Sequence, residues 1–406
     1  MTTPAPELEA TSDVWADLVG QQQAVGTLRQ AVEAAKGAAN QATTTTAGEL
    51  SHAMTHAWLL TGPPGSGRSV AARAFAAALQ CDDGGCGHCN TCRTAMSGAH
   101  PDVTICRTEQ LSIKIDETRE LVRKAAMSPV LGRWQVLIVE DADRVGDRAA
   151  DTLLKSLEEP PARTVWVLCA PNADDMVATI RSRTREVRLV TPPDQAVAQL
   201  LIRRDGVSED AAWRAARAAQ GHIGRARALA CDPAVWAERQ RIIGLPATWT
   251  SLAACLSSAA EVVDQAQKQA DAATAALDQA EKAELEQALG VGTRGVRPRS
   301  AAAALAQLSD QQKARTKRSQ RDAIDNVLTE LGTWYRDVLA IQCGSPVTSL
   351  INLADADAVV AAAAASTAQL TTARLSAVLG TRRIIAANVA PLLAIESLFV
   401  DLASPT

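Results

Sequence analysis

The sequence predicts an α/β phosphate-loop domain followed by two all-α domains, and three observations carry that expectation. The run Gly62-Pro63-Pro64-Gly65-Ser66-Gly67-Arg68-Ser69 lies between an apolar stretch and a helical one. Further short apolar runs downstream suit buried strands. The second half is rich in alanine and the whole chain is only 3% aromatic, a composition that favours helix. With 406 residues there is room for two or three domains, divided here as 1–190 for the α/β part, 191–245 for a small helical domain and 246–406 for a larger helical one.

In chain order, Ala57-Trp58-Leu59-Leu60-Thr61 reads as a buried strand and Val70 to Leu79 as a helix starting near Ser69. Between them Gly62, Gly65 and Gly67 let backbone N–H groups turn toward phosphate oxygens, and the positive end of the following helix adds a favourable field. Ser66, Arg68 and Ser69 complete the candidate nucleotide contacts. Arg68 stands where such loops carry lysine. A planar, forked guanidinium is a poor replacement for a compact ammonium at a tight site, so the loop reads as able to bind ATP or ADP but not to turn it over.

Four of the nine cysteines, Cys81, Cys86, Cys89 and Cys92, crowd a single short segment. Two successive Cys-x2-Cys steps plus Cys81 suit four thiolates around one tetrahedral ion, and Gly84, Gly85 and Gly87 allow the turns. Structural Zn2+ is the leading reading; an iron–sulfur cluster or a metal-free redox cluster is the alternative. His88 reads as solvent-facing rather than as a ligand.

His100-Pro101-Asp102 turns into a short strand, and Ile115 to Leu121 opens a helix with Asp116 near its cap. Gln135 to Asp141 reads as a parallel strand whose carboxyl end presents Glu140 and Asp141 to a Mg–nucleotide site. Their order reverses the aspartate-then-glutamate arrangement such a site uses, and two readings stay open: residual Mg2+ binding, or hydration of a strand end. Ala149 to Pro161 is an amphipathic helix stopped by prolines, and Thr164 to Cys169 another buried strand. Arg181, Arg183 and Arg185 alternate just before a further strand.

Farther on, Ser251 to Ala288 and about Ser300 to Leu339 read as two long helices of a hairpin, interrupted by Gly290, Gly292, Gly295 and Pro298. Lys313, Arg315, Lys317, Arg318 and Arg321 form a basic segment without interleaved aromatics, read as a solvated helix face in preference to a DNA contact. A net charge of −4 gives no global reason for tight nucleic-acid binding. No apolar run suits a membrane span, and Met1 to Glu9 lack the pattern of a secretory signal, so a cytoplasmic location is expected.

The order of these pieces, from Asp17-Leu18-Val19-Gly20-Gln21 through the phosphate loop, the four cysteines, His100-Pro101-Asp102, Leu153-Leu154-Lys155-Ser156-Leu157-Glu158-Glu159-Pro160-Pro161 and Ser182-Arg183-Thr184, resembles the AAA+ clamp-loader family of bacterial DNA polymerase III, delta-prime type. The resemblance implies an AAA+ motor, a helical lid and a helical collar. It implies a role in ATP-driven loading of a sliding clamp onto primer-template DNA, within a hetero-pentameric ring of gamma or tau and delta partners, with no membrane involved. It places Arg183 as an arginine finger acting in trans on a neighbour's nucleotide, and Arg225, in Gly221-His222-Ile223-Gly224-Arg225, as a lid arginine of the nucleotide site. Ala170-Pro171 fills the place of a polar sensor side chain, a third departure from an active ATPase beside Arg68 and the Glu140-Asp141 pair. The rival reading is an autonomous AAA+ ATPase of DNA repair or recombination, and a third is a zinc-stabilised adaptor that binds no nucleotide.

Overall fold

The apolar runs become strands in the computed structural model, which describes residues 13–40, 53–108, 112–289, 299–387 and 389–404. Met1 to Glu9 and the helix-breaking Gly290, Gly292, Gly295 and Pro298 lie outside the described residues. The chain forms two compact units, Met1–Cys231 and Asp232–Thr406.

The first unit begins with α1 (Gln22–Asn40), β1 (Ala57–Thr61), α2 (Arg68–Gln80), α3 (Asn90–Ser97) and β2 (Val103–Arg107). It continues with α4 (Ile115–Ala125), β3 (Gln135–Glu140), α5 (Asp147–Glu158), β4 (Thr164–Ala170), α6 (Ala178–Arg181) and β5 (Arg185–Arg188). The strands are all parallel, in the order β2-β3-β4-β1-β5. Helices cover both faces of such a sheet, so its strands need apolar residues at consecutive positions rather than alternate ones. That is why β1, β3 and β4 are buried along their whole length.

Alternate residues still serve different cores. Trp58, Leu60, Ile138 and Val167 pack with α1, α2 and α3, where the Trp58 ring meets Phe75 edge-on at 5.3 Å. Leu59, Leu137, Val139 and Trp166 face the other way, against α4 and α5. The edge strand β5 buries only Val187 and exposes charge on either side of it, a pattern that discourages further strand pairing. The α4 helix begins at Ile115 as expected, with Lys114 at its cap and Asp116 in its first turn; the Lys114 N–H donates to Glu117 at 3.0 Å.

Three more helices belong to this unit: α7 (Asp194–Asp205), α8 (Glu209–Ala219) and α9 (Ile223–Cys231). Gly206, at φ +66°, ends α7, and the Ser208 hydroxyl caps α8 by accepting from the Ala211 N–H.

The second unit is all helical, with α10 (Pro233–Thr248), α11 (Leu252–Ala288), α12 (Arg299–Gln342), α13 (Ala356–Ala364), α14 (Ala368–Ala386) and α15 (Pro391–Ala403). Its core gathers Ile242, Ile243, Leu328, Leu331 and Ile395 around Trp249 and Phe399, whose rings lie 4.6 Å apart. Two polar features are built into it. Arg239 on α10 and Glu330 on α12, 3% and 6% exposed, form an ion pair at 3.0 Å. The wholly buried Asp337 accepts the backbone N–H groups of Ile351 and Asn352 at 3.0 and 2.7 Å, fixing the chain after α12. No helix among the described residues is long and apolar enough to cross a membrane.

Candidate functional site

The sheet order places the loop after β1 and the carboxyl end of β3 on either side of β4, the crevice where open parallel sheets bind ligands. Gly62, Gly65 and Gly67 of that loop have φ of +150°, +82° and +95°, and Gly67 caps α2 directly. A side chain at Gly62 would stand 2.7 Å from the Leu189 carbonyl oxygen. Gln21 explains the Asp17-Leu18-Val19-Gly20-Gln21 segment: its amide donates to the Val190 carbonyl at 2.7 Å and to that of Ser66 at 3.3 Å, and its oxygen accepts the Val190 N–H at 3.0 Å. The loop is thereby tied to the segment beyond β5. Ser66 is buried, and its hydroxyl has no hydrogen-bond partner among the described residues.

Arg68, the first residue of α2, turns back and donates from Nη1 to the Gly62 carbonyl at 2.7 Å. Ser69 follows in the same turn, half-buried. Glu140, at the end of β3, is enclosed by two arginines, with Arg73 Nη2 at 2.9 Å and Arg107 Nε at 3.9 Å. Its carboxylate is thus already engaged by the Arg73 guanidinium, with the largely exposed Arg107 farther off. Asp141 follows in a left-handed conformation, φ +55°. Burial, reinforced by the Asp141 charge, raises the pKa of Asp143.

Helix α9 closes on the loop from above. The Ile223 N–H approaches the Gly65 carbonyl at 3.4 Å, and a Cβ on Gly65 would fall 2.5 Å from the His222 Cα. Glycine at 65 is therefore a condition of this contact. His222 Nδ1 accepts the Arg225 N–H at 3.1 Å, and burial together with the Arg225 charge lowers the His222 pKa, keeping the ring neutral. Arg225 thus stands on the helical turn that touches the loop.

Arg183 belongs to a different place, between α6 and β5. Its Nε donates to Glu158 at 2.7 Å, and its Nη1 to the Thr179 carbonyl at 2.8 Å and the Ser182 hydroxyl at 3.1 Å. Its neighbours differ in kind: Arg181 pairs with Asp174, and Arg185 lies over the Trp58 ring at 5.3 Å.

The four cysteines come together. Cys81 ends α2, Cys89 caps α3, and Cys92 lies in the first turn of α3. Their four Sγ atoms lie within 4.8 Å of one another, with Cys81 at 3.7 Å from Cys86 and 3.8 Å from Cys89. A tetrahedral ion with metal–sulfur bonds of about 2.3 Å needs sulfurs about 3.8 Å apart, so the residues fit a metal ion. Burial opposes a thiolate at Cys81, but the backbone N–H groups of Cys86, Gly85 and Asp83 bring its pKa down to about 7; burial pushes Cys92 and Cys89 up. His88 is turned to its own loop, with Nδ1 3.0 Å from the Cys86 carbonyl oxygen.

Several of these residues were not picked out by sequence reasoning: Arg73, Arg107, Glu158 and His222. Arg73 left a trace as the single charge in the otherwise apolar run Val70 to Leu79, and Glu158 and His222 stand inside motifs read from the sequence without a role of their own.

Residues 40–193 match the protein family described as DNA polymerase III, delta subunit. The chain is 36% identical over 180 residues to DNA polymerase III subunit delta' of Escherichia coli K12, a match spanning 43% of this chain and 54% of that one. It is 30% identical over 204 residues to DNA polymerase III subunit gamma/tau of Mycobacterium bovis, spanning 48% and 32%. The chain spans about half the length of the delta' relatives it matches. Among solved structures it is similar to a DNA polymerase III gamma subunit-related protein of Thermotoga maritima, at 16% identity and a TM-score of 0.39 over 85% of this chain and 93% of that one.

Proposed function

We propose that this chain, similar over residues 40–193 to the DNA polymerase III delta subunit family and to delta' subunits, works in a clamp loader as a scaffold that lends Arg183 to a neighbour's ATP and turns over none itself. The observation that carries this reading is the internal use of the charges at its own phosphate site. Arg68 is spent on the Gly62 carbonyl, and Glu140 is held between Arg73 and Arg107. Hydrolysis needs one carboxylate on Mg2+ and another aimed at the attacking water. A glutamate in a 2.9 Å ion pair is poorly placed for either task. The loop's glycines and the start of α2 still suit phosphate binding, so ATP or ADP can be held without being consumed.

Arg183, by contrast, sits on the surface, where a neighbouring subunit's terminal phosphate can reach it. There its guanidinium balances charge that builds in the transition state, a contribution of about 10³–10⁵ in rate for arginines of this type. The partners are a gamma or tau subunit, whose site Arg183 completes, and a delta subunit, in a five-membered ring that opens a sliding clamp for primer-template DNA. Structural Zn2+ on Cys81, Cys86, Cys89 and Cys92 braces the link between α2 and α3, and no chemical step passes through it.

The test is ATP turnover of a reconstituted loader containing this chain, beside the isolated chain. Arg183→Ala is expected to lower assembled turnover at least about 100-fold while the complex still forms, and Arg68→Ala to leave it within about 2-fold. Turnover by the isolated chain that vanishes with Arg68→Ala would make it an autonomous motor instead.

A further inference from the structure

A guanidinium grips a phosphate or carboxylate best through two parallel N–H bonds along one edge. In Arg183 the edge formed by Nε and Nη2 is already taken by a carboxylate of this chain. Nε lies 2.7 Å from Glu158 Oε1, and Nη2 pairs with the same oxygen. The opposite corner, Nη1, is anchored on α6 through the Thr179 carbonyl and the Ser182 hydroxyl. Arg183 can therefore exchange its Glu158 edge for another anion without leaving its anchor.

Two features of Glu158 suit such an exchange. It is the last residue of α5, where the negative end of the helix dipole disfavours a carboxylate, so its presence does nothing for the helix. The pair is also half-exposed, with side chains 34% and 47% accessible, and pairs of that kind are weak enough to open.

We infer that Glu158 is a positioning residue that latches Arg183: it occupies the phosphate-gripping edge of the guanidinium in place of the phosphate and is displaced when a neighbour's nucleotide arrives. The inference rests on the trans-acting reading of Arg183. Because the carboxylate competes with the phosphate, removing its charge frees the edge. Glu158→Gln keeps the side-chain shape and is expected to raise turnover of the assembled loader about 2- to 5-fold at low ionic strength and subsaturating ATP. The gain shrinks as salt rises, since exposed ion pairs are screened.

The experiment compares wild type, Glu158→Gln, Arg183→Ala and the double variant in the same reconstituted complex, at low and high salt. A gain from Glu158→Gln that salt erodes, and that is absent from the residual turnover of the Arg183→Ala background, supports the latch, because a residue acting only through Arg183 has no effect without it. Turnover of Glu158→Gln at or below wild type in low salt would overturn the latch, as would a gain that persists without Arg183. If Arg183→Ala itself leaves turnover intact, the trans-acting reading fails, a result distinct from failure of the latch.

Discussion

Asp102 shows what a single buried carboxylate can do for a loop. It is 1% exposed and accepts three successive backbone N–H groups, those of Val130 at 2.6 Å, Leu131 at 2.9 Å and Gly132 at 2.5 Å. Burial works against its charge, yet these N–H groups hold its pKa below the ordinary carboxylate range. A depressed folded-state pKa gives stability that is present above the unfolded value, about 3.9, and is lost as pH falls through the folded one. Asp102→Asn is therefore expected to cost about 1–3 kcal/mol at neutral pH and to flatten the acid limb of the stability curve below about pH 5, read by denaturant titration and by faster amide exchange at Val130 to Gly132. The sequence marks His100-Pro101-Asp102 as a turn but hides this work, because the partners lie 28 to 30 residues downstream. The pairing of Glu158 with Arg183, 25 residues apart, was hidden for the same reason.

At the scale of elements, legibility followed the range of the interaction. The strands and the phosphate loop were readable because burial on both faces of a parallel sheet leaves uninterrupted apolar runs, and the two long helices because alanine dominates them. The basic segment of α12 was readable only in part: Lys313 and Lys317 are exposed, as a solvated face requires. Arg315 departs from that reading and turns inward, 12% exposed, to meet Asp278 at 2.8 Å and Glu281 at 2.7 Å on α11. Gln312 donates to the Asp278 carbonyl at 2.8 Å beside them. The Arg315 bonds hold the Glu281 carboxyl below its usual pKa, so the clasp persists above the ordinary carboxylate range and weakens as pH falls through the depressed value. Arg315→Ala should loosen this part of the hairpin by about 1 kcal/mol, seen as faster exchange in α11 and α12 around these residues at neutral pH, with less difference from wild type in acid.

For the molecule as a whole, each unit has its own core and its own polar brace. In the second unit, Glu330→Ala would remove the carboxylate that balances the buried Arg239 charge and leave it with neutral contacts such as Asn352, a change expected to cost about 3–5 kcal/mol and to appear as faster exchange in α10 and α12. In the first, the cysteine knuckle is continuous with the loop that Asp102 supports: Gln80, next to Cys81, accepts the Arg133 N–H at 2.9 Å and the Trp134 N–H at 3.2 Å. Chelation should therefore release one Zn2+ per chain and speed exchange at residues 81–92 and 132–134, while the second unit keeps its protection, as read by elemental analysis and exchange mass spectrometry. The pairing of Glu140 limits what any one substitution can do. Lysine at position 68 would still leave that carboxylate paired with Arg73 at 2.9 Å, and clearing Arg73 would still leave Arg107 at 3.9 Å. On the proposed reading, hydrolysis here would need several coordinated replacements, none of them sufficient alone, so the site resists conversion to a motor by any single substitution.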